Sequence, residues 1–385
     1  MTNDDKIVFI LPCHFGLEVV AKREVISLGF EIKEVKDGEV HIYGTVKDIP
    51  RLNINIRTCE RVLIEVGNFN AENFDELYEK ANQLDIERYV GKEDRFDITK
   101  ANSDKNSILN SQRKIQAIVK KAMADHLMAV YKTDTLPETN HTLKFRVKFL
   151  KNYCSIRLDT TGVSLHKRGY RIKPSDAPIE ESLAAAIIML TPYKKGRVLL
   201  DPFCGSGTFL IEAALMSANI AAGLNRTFLF QEYDHILDKK AWNEEYSKAK
   251  SKIDKDFLKD KNITLFGSDI NPKMISIAKF NAKKAGVLNV INFDVKPVDE
   301  VENENKYGFI ITNPPYGERI GNNETINKIY NDLMNLYNRL DSWSMSVITA
   351  YDNAKKIFRN ANKNRKIYNG MMKTYLYQIL GEYNK

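Results

Sequence analysis

The spacing of apolar positions divides the chain into two differently patterned parts. In the first, Ile7-Val8-Phe9-Ile10 reads as a strand, and Gly16 to Leu28 as an amphipathic helix stopped by Gly29. Phe30 to Val35 and Gly38 to Tyr43 then read as a hairpin about Lys36-Asp37. A second short helix and a strand from Arg61 to Val66 complete a βαββαβ order, which is ferredoxin-like. Residues 73–85 and 107–130 read as helices, and 95–100 and 142–158 hold strands.

From about residue 180 the pattern changes to short, wholly apolar strands alternating with apolar-striped helices, as in a mostly parallel sheet with helices on both faces. The strands are Val198-Leu199-Leu200, Ile263 to Ser268, Val290 to Phe293, Ile310 to Thr312 and Met345 to Thr349. Between the second and third of them, Asn271 is an N-cap, Pro272 a first helical residue and Gly286 a stop. Ile275, Ala278, Ala282 and Ala285 form the stripe of that helix. Lys366-Ile367-Tyr368 and Thr374 to Leu380 flank Asn369-Gly370, a hairpin turn signal that ends the sheet antiparallel. Residues 219 to 262 are too many for an ordinary loop. Their mixed charges around Trp242 predict an inserted helical excursion, solvated rather than in contact with substrate.

Composition narrows the class. The chain has 385 residues, 43% of them hydrophobic, enough for two or three cores. There is no run of 18 apolar residues and the N-terminus carries no signal sequence, so a soluble, cytoplasmic protein with no membrane partner is expected. Cysteines 13, 59, 154 and 204 lack metal spacing, so no metal site is expected and the thiols read as reduced. The net charge is +8 and is unevenly spread. His141 to Lys173 carries nine Lys or Arg residues against one acid, Asp159, with Phe145, Phe149, Tyr153 and Tyr170 interleaved. That pattern predicts a nucleic-acid-binding surface that neutralises phosphates and stacks bases, through Lys144, Arg146, Lys148, Lys167, Arg168, Tyr170 and Arg171.

The chemistry concentrates at strand ends. Strand 310–312 stops in Asn313-Pro314-Pro315-Tyr316. Two prolines cannot continue a ladder, so they hold Asn313 at the sheet edge and project Tyr316 beyond it. An amide acceptor beside an aromatic face grips a planar group bearing an exocyclic NH2. Strand 198–200 runs into Asp201-Pro202-Phe203-Cys204-Gly205-Ser206-Gly207-Thr208 and then an apolar helix. Leu210 stands where the dinucleotide fingerprint needs a third glycine, and no Gly-Lys-Ser/Thr follows, which argues against a nicotinamide or Walker site. An acid ahead of the glycines repels pyrophosphate but suits a ligand with a cationic amino-acid end. Asp269, followed by Ile270, closes the second strand where a ribose partner is expected, and Asp294 closes the third.

The segments DPFCGSGTFLIEAA, GSDINPKMI and NPPYGER, preceded by LHKRGYR and APIEESLAAAII, resemble class I S-adenosylmethionine-dependent methyltransferases. More closely, the chain is similar to THUMP-domain RNA methyltransferases of the ribosomal RNA guanine-N2 type. The resemblance implies an α/β fold: a class I Rossmann-like sheet, mostly parallel with a terminal antiparallel hairpin, preceded by α+β modules. It divides the chain into a ferredoxin-like domain (1–65), a THUMP RNA-binding domain (66–165) and a methyltransferase domain (166–385). It implies S-adenosylmethionine as cofactor, with its methionine end near Asp201 and the 203–208 loop, its ribose on Asp269 and its adenine near Asp294. Asn313, Pro314, Pro315 and Tyr316 would then hold the target base of a structured RNA, rRNA before tRNA. Glu318 and Arg319 match the family's ending of that motif and would fix the loop, and Glu180 and Glu181 would help seat the cofactor. The reaction implied is methyl transfer to guanine N2 in 23S rRNA. The alternatives are a tRNA guanine-N2 enzyme and an adenine-N6 enzyme acting on RNA or DNA. A protein glutamine methyltransferase leaves the basic N-terminal half unexplained, and a non-catalytic RNA-binding protein would need a degenerate site.

Overall fold

The computed structural model describes residues 5–171, 178–233, 236, 239–316, 323–370 and 372–382. Its N-terminal half is built on one seven-stranded sheet in the order β2-β3-β1-β4-β7-β6-β5. The elements are β1 (Ile7–Pro12), α1 (Glu18–Ser27), β2 (Glu31–Lys36), β3 (Glu39–Gly44), α2 (Ile49–Asn55) and β4 (Leu63–Asn70). They continue with α3 (Phe74–Asn82), β5 (Arg95–Ser103), α4 (Gln112–Tyr131), β6 (Thr142–Leu150) and β7 (Tyr153–Asp159). The first six follow the βαββαβ order expected from the periodicity. β4 pairs with β1 through Leu63 and Ile64 and with β7 along its length, so one strand belongs to both halves of the sheet. The sheet is therefore continuous where the sequence suggests a boundary near residue 65.

Strand β6 alternates strictly. Leu143, Phe145, Val147 and Phe149 are buried, in one core with Ile115, Val119 and Met123 of α4. Phe96 of β5 meets Phe145 edge-on, their ring centroids 6.2 Å apart.

The C-terminal half holds a second seven-stranded sheet, ordered β10-β9-β8-β11-β12-β14-β13. After α5 (Glu181–Leu190) come β8 (Leu199–Asp201), α6 (Thr208–Ser217), α7 (Lys239–Ser251), β9 (Leu265–Asp269), α8 (Pro272–Lys284) and β10 (Ile291–Val295). Then follow β11 (Phe309–Thr312), α9 (Asn323–Arg339), β12 (Ser344–Thr349), α10 (Ala354–Ile357), β13 (Lys363–Asn369) and β14 (Met372–Ile379). The five strands β8 to β12 pair in parallel, while β14 runs antiparallel to both β12 and β13. Gly370 turns the last hairpin with φ +61°.

Residues 219–262 depart from the solvated excursion expected of them. Tyr233 donates from its hydroxyl to the Asp159 carbonyl (3.0 Å), Phe230 N–H donates to Thr160 O (3.0 Å), and Gly223 N–H donates to Ile54 O (2.8 Å). A Cβ on Gly223 would stand 2.5 Å from Asn53 O, so only glycine allows this approach. Phe228, Phe230, Trp242 and Tyr246 form an aromatic cluster beneath it. The insertion packs against the N-terminal half, and its exposed charges hide an apolar underside.

Candidate active site

Parallel pairing brings the C-terminal ends of β8, β9, β10 and β11 to one edge of the sheet. Asp201 ends β8 and is 2% exposed. It accepts from the Thr312 hydroxyl at 2.6 Å and from Phe203 N–H at 3.2 Å, tying the glycine loop to the strand that delivers Asn313. Burial pushes its carboxyl up to about 7, with Asp269 adding in the same direction.

The loop is held from two sides. Gly205 N–H donates to Asp269 Oδ2 (3.1 Å), and Asn281 Nδ2 of α8 donates to Ser206 O (3.1 Å). Gly205 has φ +50° with nothing within 4 Å of where a Cβ would be, so its backbone faces open space. Gly207 caps α6 with φ +82°, and a Cβ there would lie 3.1 Å from both Ala278 and Phe293. Pro202, Ser206 and Thr208 are buried, and Phe203 is half-buried. Arg171 donates to the Thr208 hydroxyl (2.7 Å) and to Ile179 O (2.8 Å), and sits 3.4 Å from Glu181, the buried first residue of α5. Burial also raises the Glu181 carboxyl to about 7.

Asp269 accepts from Asn271 N–H at 2.8 Å and remains partly accessible. Beside it Ile270 is 72% exposed, and Val295, its register neighbour through Asp269, is also exposed. Asp294 is exposed and accepts from Asn292 (2.9 Å). An acid for hydroxyls, two bare apolar side chains for the face of a heterocycle, and a glycine backbone open to a ligand fit S-adenosylmethionine. Val295, Thr312 and Asn281 escaped the sequence reading. The parity of Thr312, one residue before the motif on a buried strand, is the signal that points to the first strand.

At the end of β11, Asn313 Oδ1 is buried and has no hydrogen-bond partner among the described residues. Pro314 is buried, and Pro315 and Tyr316 are half-buried. Burial keeps the Tyr316 pKa above the usual tyrosine value, with the neighbouring Asn369 and Asn313 side chains acting in the opposite direction. Asn369, at the end of β13, was not foreseen, because only the folded hairpin carries it there. Glu318 and Arg319 lie outside the described residues. Cys204 is buried and its thiol is pushed far up by burial, which disqualifies it as a nucleophile.

The basic run behaves differently from the expected RNA surface. Arg168 is 3% exposed and Tyr170 4%. Arg168 donates to Leu165 O and Arg57 O (both 2.6 Å) and stands 3.5 Å from the fully buried Glu212, which also accepts from the Tyr170 hydroxyl (3.0 Å). Both residues are interior, and Arg171 is bonded to Thr208 of the glycine loop, so these three do not form the open basic surface expected of them. On β6, Arg146 pairs with Asp159 (2.9 Å) and Lys148 with Glu39 (2.9 Å), and Arg157 completes the second pair (2.6 Å). The face opposite the core is thus a ladder of ion pairs across strands, and Phe145 and Phe149 are core residues. Lys167 is exposed and Lys144 half-buried. Lys173 lies outside the described residues.

Comparison with known proteins agrees with this architecture. Residues 168–378 match the RMKL-like methyltransferase domain, residues 8–63 the RlmL ferredoxin-like domain and residues 71–159 the THUMP domain. The chain is 37% identical over 376 residues to "Putative RNA methyltransferase YpsC" of Bacillus subtilis strain 168, covering 97% of this chain and 96% of that protein. It is 30% identical over 366 residues to ribosomal RNA large subunit methyltransferase K/L of Shewanella baltica strain OS155, covering 93% of this chain but only 50% of that protein. The chain therefore spans about half the length of the K/L relatives. The crystal structure of SMU.472 complexed with SAH superposes with a TM-score of 0.92 at 33% identity, over 100% of both chains. With a THUMP domain ahead of an RlmL-like catalytic domain, this chain belongs to the family of THUMP-containing, S-adenosylmethionine-dependent RNA methyltransferases.

Proposed function

We infer that the protein transfers a methyl group to the exocyclic N2 amine of a guanine in large-subunit ribosomal RNA. The observation that carries the reading is Asn313 Oδ1, a buried acceptor with no partner, at the tip of the strand beside Tyr316. A buried acceptor left unsatisfied costs about 1–3 kcal/mol, and an incoming NH2 relieves that cost. The names of the K/L relatives support rRNA as the substrate.

The 203–208 loop, Asp269, Ile270 and Asp294 would hold S-adenosylmethionine, which when bound would supply an electrophilic methyl. The chain's residues then position and polarise the amine. A target base turned out of its helix stacks on the Tyr316 ring. Asn313 Oδ1 accepts one amine hydrogen and the Pro314 carbonyl the other. The lone pair of an exocyclic amine is delocalised into the ring. Two acceptors aimed at its hydrogens favour a pyramidal nitrogen and stabilise the positive charge that develops on it. Orientation against a bound methyl donor lowers the barrier further; transfer would form the N–CH3 bond as the S–CH3 bond breaks to leave S-adenosylhomocysteine, and the cationic nitrogen would then release one proton to solvent. Tyr316, with a raised pKa, is no base; its part is to stack the base and brace Asn313.

The test is incubation of the full chain with labelled S-adenosylmethionine and unmodified total RNA, followed by fractionation and nucleoside identification. N2-methylguanosine in large-subunit rRNA is expected. N6-methyladenosine, or label confined to tRNA, would overturn the substrate, and no label in any RNA despite SAH binding would overturn the RNA reading itself.

A further inference from the structure

Much of the basic run of the N-terminal half is paired or buried, Lys144 and Lys167 excepted, so phosphates need a further surface. Hairpin β13–β14 offers one. Lys366 stands opposite Tyr375 and Tyr368 opposite Lys373, so the period of two puts all four on one face. Ile367, Thr374 and Leu376, on the other face, are fully buried. Lys366 Nζ lies 5.0 Å from the Tyr368 ring centroid, and Lys373 Nζ 5.2 Å from that of Tyr375. Both lysines are exposed, and neither forms an ion pair with a carboxylate among the described residues. Lys355 of α10 adds its field on the same side, since it acts with both lysines to lower the Tyr375 pKa; Asp352 is the acid that faces Lys373.

The N-terminal half completes this face. Phe15 in the β1–α1 loop is 45% exposed, and its ring meets Tyr368 edge-on at 6.0 Å and 75°. The loop is locked onto the hairpin edge: Arg365 donates to Gly16 O (3.0 Å), and a Cβ on Gly16, at φ +87°, would stand 2.8 Å from Lys366 O. Asn369, the next residue after Tyr368, lies on the opposite face of β13 and beside the Tyr316 hydroxyl, so the end of the hairpin that bears the shelf adjoins the candidate active site.

We propose that Phe15, Tyr368 and Tyr375, with Lys366 and Lys373, form the docking surface for unpaired RNA nucleotides flanking the target base. The rings stack bases and the lysines neutralise phosphates, the combination that single-stranded nucleic acid requires. This rests on the RNA reading above. Phe15 thereby gives the ferredoxin-like module a direct part in substrate positioning, from a loop far from the catalytic motifs in sequence.

The experiment uses the full chain and three readouts: SAH affinity by calorimetry, affinity for a fluorescent single-stranded RNA oligonucleotide by anisotropy across a salt series, and methyl-transfer kinetics on unmodified rRNA. Lys366→Glu with Lys373→Glu should weaken oligonucleotide binding at least tenfold. Each lysine contributes one phosphate contact, so the slope of log K against log salt should fall by about 1.4. SAH affinity should stay within twofold. Phe15→Ala should raise KM for rRNA about tenfold with kcat within twofold, and Phe15→Trp should restore it, on the scale of about 1–3 kcal/mol per stacked base. Unchanged RNA affinity and salt slope in the double variant would overturn the proposal. If the charge reversals fail to fold, Lys366→Gln with Lys373→Gln carries the same readouts. Should the wild type methylate no RNA, the binding arm decides alone: oligonucleotide affinity lost in the double variant supports the surface, and no wild-type affinity overturns it.

Discussion

Asn313 and Asp201 occupy the same sheet edge in opposite electrostatic situations. In the proposed reaction Asn313 offers a neutral acceptor to the substrate amine, and removing such a preorganised group costs about 10²–10³ in kcat. Asn313→Ala should therefore lose turnover on that scale in single-turnover assays, while SAH affinity by calorimetry changes less than about threefold. A comparable loss of cofactor affinity would refute the role. Tyr316→Phe should keep most activity and Tyr316→Ala should not, because stacking needs the ring and not the hydroxyl; kinetics of the two variants on one RNA separate them. Asp201 carries a pKa raised to about 7 by burial. The cationic amino group of the cofactor favours its ionised form, so SAH affinity should rise with pH up to about 7 and level off above it. In the unliganded protein the sign reverses. A raised acid pKa gives a stabilising contribution that is whole below the unfolded value near 4 and disappears as pH rises through about 7. Asp201→Asn should flatten both profiles, measured as SAH affinity and as melting temperature from pH 5 to 8.

At the scale of elements, the glycine loop is the part most rigidly specified. Gly207 combines φ +82° with two neighbours at 3.1 Å from a would-be Cβ. Gly207→Ala should cost about 1–3 kcal/mol in chemical denaturation and weaken SAH binding, since the strain falls on the N-terminus of α6. This loop, the caps of α8 and the proline stop after β11 were legible in the chain because each depends on neighbours within a few residues. Asn271 does cap α8, accepting from Lys273 N–H at 2.9 Å. Strand β6 shows the other case. Its alternation announces two faces, but whether Arg146 and Lys148 meet phosphate or carboxylate depends on Asp159 and Glu39, brought alongside by strand pairing.

The whole molecule is held by contacts that cross between its halves. The insertion at 219–262 binds the first sheet through backbone and aromatic contacts, and Arg168 carries Arg57 of the N-terminal half to Glu212 of α6. Arg168→Ala leaves a carboxylate buried without its cation, a loss of about 3–5 kcal/mol. Denaturation should show that loss, and the double variant Arg168→Met, Glu212→Leu should be less destabilised than the single one. The salt dependence of RNA binding should not move in either, which separates this interior arginine from Lys366 and Lys373. No helix among the described residues is long and apolar enough to cross a membrane.

The two patterned halves, the strand-end positions of Asp201, Asp269 and Asn313, and the family were legible in the chain alone, because local backbone preferences and short motifs are written in contiguous residues. Tertiary structure alone decided which charges are available. LHKRGYR has the composition of an RNA-binding segment, yet its Arg168, Tyr170 and Arg171 turn to Glu212 and Glu181, acids from helices that follow it in the chain. The lysines and tyrosines of the last hairpin carry no motif, and they gain a role only where β13 meets the β1–α1 loop and Asn369 meets Tyr316. Charge and aromaticity are properties of residues. Exposure and partnership are properties of the packing, and the function of a basic residue depends on the second as much as on the first.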